Sequence, residues 1–236
     1  MTAALFLGFL AVVAAAVLML AGRYLPRGTA AAIWAALPAW LLYVGLLGYF
    51  GVVRNAALRP PGIAFILGPV ALFVVLFAAR AAGGGRIALA VPLWLLLGLQ
   101  GYRVGVELFL HRLWLDGLAP RMLTFEGANV DVLIGVSAPL IAWLSTRGRP
   151  GLRLALAWTV LGLLALANVA VRSALTAPGP LNLIHAEVPN LALGTFPFMF
   201  IPGFFAPLAV VLHVLAIRSL RVRLGAAGPA LSPQAT

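Results

Sequence analysis

The chain has 236 residues, 64% of them hydrophobic and 9% charged, with a mean hydropathy of +1.10. That composition excludes a soluble domain of this length and points to a membrane protein. With no cysteine there is no disulfide framework, redox dithiol or thiolate metal site. All sixteen basic residues are arginine, so lysine Schiff-base chemistry is excluded as well. The net charge of +11 would suggest nucleic acid in a soluble protein. Here the arginines bracket apolar segments and read as topology signals, so no nucleic acid partner is expected.

A helix needs about 20 apolar residues to span a bilayer. Seven segments meet this: about 3–22, 29–52, 62–82, 87–115, 129–146, 151–172 and 196–218. The first has no basic residue before its apolar core, and Arg23 and Arg27 follow it, so it reads as a retained helix and not a signal peptide. The turn GGGR at 83–86 lacks the lysine and strand context of a phosphate loop, and no nucleotide is expected. The expected fold is therefore all-α: a polytopic membrane protein with a seven-helix transmembrane domain over 1–223 and a disordered cytoplasmic tail over 224–236.

Arginine placement sets the expected orientation. With the N-terminus outside, the inner side holds Arg23, Arg27, Arg80, Arg86, Arg147, Arg149, Arg153, Arg218, Arg221 and Arg223. The outer loops hold five, and Arg103 lies within a helix. Positive-inside then places the C-terminus in the cytoplasm. On this topology all five acids, Glu107, Asp116, Glu126, Asp131 and Glu187, lie in the outer half. The mixture predicts paired charges in a polar pocket on that side.

The fourth segment carries a polar stripe. Gln100, Arg103, Glu107 and His111 stack on one helix face, while Val104, Val106, Leu108, Phe109 and Leu110 occupy the others. A charge deep in a bilayer costs about 2.5–3.5 kcal/mol on insertion scales, so the stripe should face the bundle interior and pair. The spacing lets Arg103 and Glu107 pair with each other. In one reading the pair only locks the helix against its neighbours. In the other, Glu107 and His111 line a working pocket.

Three further stretches could complete that pocket. LTFEGANVDVL, 123–133, reads as a re-entry turn with Asn129 as N-cap and Asp131 in the first turn of the next helix. Glu126 precedes the cap and could reach His111 or Arg112. NLIHAEVPN, 182–190, brings His185 and Glu187 to the same side. Pro197, Pro202 and Pro207 interrupt the last segment and predict a bend over the pocket. His213, about seventeen residues into that segment, reads as a lone histidine near its inner end.

These residues give the candidate site. Glu107, His111 and Glu126 are the expected catalytic groups. Arg103, Asn129, Asp131, Asn168 and Arg172 are the expected ligand-binding groups. His111, His185, Glu107 and Glu126 together suit a divalent metal such as zinc or iron, although no HExxH, HxxxH or Glu-x-x-His spacing supports it.

The stretch VELFLHRLW, then TFEGANVDVLIG and APLIAWL, with PFMFIPGFFAPLAVVLH near the end, resembles an uncharacterised group of bacterial multi-pass membrane proteins. The resemblance covers about half the chain, implies a bacterial inner (plasma) membrane location and attaches no activity. The layout is also loosely similar to the membrane hydrolases related to alkaline ceramidases and progestin-type receptors. Those place a Ser, an Asp and three His around zinc, two of the His in an HxxxH on the last helix. This chain has one histidine on its last segment and departs from that pattern.

The leading expectation is an intramembrane enzyme or binding protein acting on membrane lipid or a small hydrophobic molecule. The alternatives are a proton-coupled transporter or accessory subunit with Glu107 as proton carrier, and a structural partner whose stripe docks another helix.

Overall fold

Apolar runs of this length satisfy their backbone in lipid only by forming helices or closed barrels. A computed structural model, describing residues 1–55, 57–79, 87–178 and 182–226, is all-helical, with no strand among the described residues. Helix α1 is Thr2–Tyr24, α2 Arg27–Tyr49, α3 Ala64–Ala79, α4 Leu93–Gly98, α5 Tyr102–Leu115, α6 Asp131–Leu144, α7 Gly148–Thr176 and α8 Ala206–Ala226. A 3₁₀ turn, Leu99–Gly101, joins α4 to α5 into one rod, and a π-helical turn, Ile201–Phe205, leads into α8.

Five of these units are long and apolar enough to cross a membrane: α1, α2, Leu93–Leu115, α7 and Ile201–Ala226. The expected third and fifth segments are shorter, at 16 residues for α3 and 14 for α6. At 1.5 Å per residue, α6 is about 21 Å long, less than a bilayer core of about 30 Å. It starts only at Asp131, after an irregular stretch. The last helix runs to Ala226, past the expected domain boundary at 223. The GGGR turn, Arg80 and residues 227–236 lie outside the described residues.

Two apolar cores flank the middle of the molecule. In one, Phe6 and Phe9 of α1, Phe109 of α5 and Phe198 and Phe205 before α8 pack as an aromatic cluster with ring centroids 5.1–5.7 Å apart. In the other, α4, α6, α7 and α8 pack through Leu96, Leu97, Ala138, Ala155, Leu212 and Ala216. Gly135 allows α6 to touch α5, since a Cβ there would lie 2.8 Å from the Val104 backbone nitrogen.

The prolines of the last segment do something other than expected. Pro207 has no N–H, so the Gly203 carbonyl one turn earlier loses its helical donor. The Trp40 indole N–H of α2 donates to that carbonyl at 2.8 Å. That bond fastens the segment to α2 beside the aromatic core.

Candidate functional site

The polar stripe does face inward, but its partners differ from those the spacing suggests. Arg103, Glu107, Asp131 and His213 are 2%, 2%, 4% and 0% exposed. Arg103 does not pair with Glu107. It forms an ion pair with Asp131 through Nη2, and its Nε donates to Asp131 Oδ2 at 3.2 Å. Its Nη1 lies 3.0 Å from His213 Nε2, and Nη2 reaches the Gly162 carbonyl at 3.5 Å. One side chain thus ties α5 to α6, α7 and α8.

Glu107 sits one turn above Arg103 and takes a different partner. The Asn129 amide nitrogen lies 2.8 Å from both Glu107 carboxylate oxygens and donates also to the Leu123 carbonyl at 2.9 Å. The Asn129 side-chain oxygen accepts from the Asp131 N–H at 3.0 Å. This is an Asx turn leading into α6, a more specific arrangement than a plain N-cap. Asp131 is accordingly more than a first-turn acid: it is the counter-ion of Arg103.

The segment before Asp131 is irregular chain placed among helices. Backbone groups at such depth need partners. Asn168 of α7 donates to the Ala128 carbonyl at 2.9 Å, and Thr124 Oγ1 donates to the Arg121 carbonyl at 2.9 Å. Arg172, one turn above Asn168, donates from Nε to the Asn168 side-chain oxygen at 2.8 Å. The N–H groups of Leu191 and Ala192 donate to the Leu118 carbonyl, fastening the two long loops together.

The rest of the expected site is peripheral. His111 Nδ1 lies 3.7 Å from Glu126 Oε1 at a partly exposed position, with the imidazole stacked on Phe125 at 4.7 Å. Glu126 is exposed, and Arg112 pairs with Asp116 at 2.8 Å instead. Glu187 accepts from the Arg121 backbone N–H.

The expected metal set does not assemble. Among the described residues no three His, Asp or Glu side chains are grouped to hold a metal. His185 is exposed, on a segment held to the end of α7 by Ile184 N–H to Leu175 carbonyl at 2.9 Å and by Asn190 to the Ser173 carbonyl at 3.1 Å. Glu107 meanwhile faces Asn129.

His213 is the residue that sequence reasoning misplaced. Ending the segment at 218 put it five residues from the inner end. The helical unit is Ile201–Ala226, so His213 falls at its middle. Arg103 and Gly162 likewise fall within about one residue of the midpoints of Leu93–Leu115 and Gly148–Thr176. A Cβ on Gly162 would lie 2.6 Å from His213 Nε2, so that glycine makes room for the ring. Two side-chain atoms here, His213 Nδ1 and Gln100 Oε1, are buried without a hydrogen-bond partner among the described residues. Gln100 Nε2 donates to the Ala209 carbonyl at 3.2 Å, and the Tyr102 hydroxyl donates to the Phe205 carbonyl at 2.6 Å.

On the outer side of α7 an open groove of about 460 Å³ is lined by Leu164, Ala167, Asn168, Val171, Arg172 and Ile184. It shares Asn168 with the support of the irregular segment.

A family described as Domain of unknown function (DUF8737) matches residues 60–221, and the chain belongs to that family. The match takes in the polar centre, the irregular segment and α7. No curated protein and no solved structure matches the chain.

Proposed function

We propose that this member of the DUF8737 family is a seven-span protein of a bacterial inner membrane, N-terminus outside and C-terminus cytoplasmic, that binds a lipid-like or small hydrophobic molecule on its extracytoplasmic side. The seven-span reading takes α3 and α6 as crossings completed by irregular chain. The 119–130 segment would enter from the outer face and hand over to α6 at Asp131. Ten inner arginines against five outer ones favour this orientation.

One observation carries the binding reading. The groove on α7 opens sideways, toward where lipid would lie, and Asn168 in its wall also holds the Ala128 carbonyl of the irregular segment. A molecule in the groove would therefore touch the element that leads to Glu107. A photoactivatable fatty-acid analogue added to membranes containing the protein should label residues 164–175 well above the apolar face of α3. Equal labelling of the two would remove this reading.

A second reading has its own support. Glu107 is a buried carboxyl with a neutral amide as its hydrogen-bond partner, while the nearby guanidinium is committed to Asp131. Intramembrane carboxyls of this kind are proton-carrying candidates. In proteoliposomes, Glu107→Gln should then abolish pH-driven flux; flux unchanged in that variant would end the proposal.

A further inference from the structure

The groove on α7 has two chemically different ends. Leu164, Ala167 and Val171 recur at three- and four-residue spacing and form an apolar strip along one helix face. At the upper end stands Arg172, four residues before the helix terminus at Thr176. Leu164 lies eight residues below it, so the strip extends about 12 Å down from the guanidinium.

Arg172 is held in place. Its Nε is bonded to the Asn168 side-chain oxygen at 2.8 Å, and Asn168 is itself fixed by donating to the Ala128 carbonyl. Ile184 closes the upper wall, anchored by its N–H to the Leu175 carbonyl. Among the described residues no carboxylate pairs with Arg172, and its two terminal nitrogens have no hydrogen-bond acceptor. By comparison, Arg103 and Arg112 of α5 are each taken up by an acid.

We propose that this groove is a site for a phosphate-bearing lipid, with the headgroup phosphate on the Arg172 terminal nitrogens and one acyl chain along Leu164, Ala167 and Val171. A guanidinium is suited to a phosphate because its planar fork donates two parallel hydrogen bonds. Its place near the helix end puts it at headgroup depth, and the strip below it matches an apolar chain. A free soluble anion would gain nothing from that strip, and an uncharged lipid would offer the guanidinium only neutral acceptors. The proposal rests on the reading that a lipid-like molecule occupies this face, and it adds the chemical class.

Native mass spectrometry of the full-length protein released from micelles tests it, with phosphatidylglycerol, diacylglycerol of the same chains, and glycerol phosphate as probes. Phosphatidylglycerol should be retained, and on the order of tenfold better than diacylglycerol, the weight of a charge-assisted hydrogen bond. Arg172→Gln should remove that preference, Arg172→Lys should restore part of it, and Ala167→Trp should displace both lipids. Glycerol phosphate should not be retained. If it binds as well as phosphatidylglycerol, the site is for a soluble anion and the proposal is overturned. If both lipids bind equally and Arg172→Gln changes nothing while Ala167→Trp still displaces them, the headgroup assignment fails but the lipid-binding reading stands. If Ala167→Trp also has no effect, both fail.

Discussion

Arg103 gives its charge to Asp131, 28 positions away in sequence, and not to Glu107, one turn above it on the same helix. The irregular segment explains the choice: it brings the Asn129 amide to Glu107 and, two residues on, Asp131 to the guanidinium. Asp131, arriving on the irregular segment, meets the guanidinium where it ends.

Breaking this pair should therefore be costly from either side. Arg103→Leu or Asp131→Leu each leaves one buried charge uncompensated, worth about 3–5 kcal/mol. The double Leu variant should lose much less than the sum. Helix content followed through denaturation in mixed micelles measures this, and strictly additive losses would show that the two residues do not depend on each other.

Glu107 predicts a gentler pattern. Glu107→Gln retains an oxygen to accept from Asn129, so stability should change by less than about 1 kcal/mol. Glu107→Leu leaves the Asn129 amide with only the Leu123 carbonyl, and the cost should be about 1 kcal/mol. The clearer readout is local: hydrogen exchange over 123–130 should speed up in Glu107→Leu and remain slow in Glu107→Gln. Identical exchange in the two variants would mean that Asn129 does not tether the segment through Glu107.

Much of this arrangement could be read in the chain. Helical periodicity alone placed Gln100, Arg103, Glu107 and His111 on one face, and that face is the buried one for the first three. The turn residues of LTFEGANVDVL marked a turn and the start of a helix near Asp131. Partner choice was not legible, because it depends on how far the 119–130 segment enters the bundle. Nothing local encodes that depth; it follows from Asn129 and Asn168, on separate elements, holding the segment. His213 was misplaced because the helix continues past 218 to Ala226 and starts later than 196, and both shifts carry its midpoint toward His213. The four-residue metal set did not assemble: His185 lies on a loop whose anchors, Asn190 and Ile184, face α7.

Gly162 offers a direct test of the His213 position. A Cβ there would fall 2.5 Å from His213 Cε1, and the ring cannot retreat because Arg103 Nη1 stands against Nε2. Gly162→Val should destabilise the protein by about 1–3 kcal/mol through overpacking. His213→Ala makes room, so the valine should be far better tolerated in that background. A valine penalty of the same size with and without the imidazole, measured by thermal unfolding, would contradict the contact.

The Trp40–Gly203 bond allows the most stringent check, because its cause can be removed. The Gly203 carbonyl needs the indole only because Pro207 lacks the N–H that would otherwise serve it. Trp40→Phe keeps a large aromatic ring and removes the donor, which should cost about 1 kcal/mol. Pro207→Ala restores a backbone N–H one turn beyond Gly203. In that background the carbonyl has a helical partner, and Trp40→Phe should cost close to nothing. The two substitutions lie on different helices and share no other donor or acceptor, so a non-additive result reports on this one carbonyl. If Trp40→Phe is equally damaging in both backgrounds, the tryptophan acts through its packing on Tyr43, where the rings are 5.4 Å apart, and not through the proline's missing hydrogen bond.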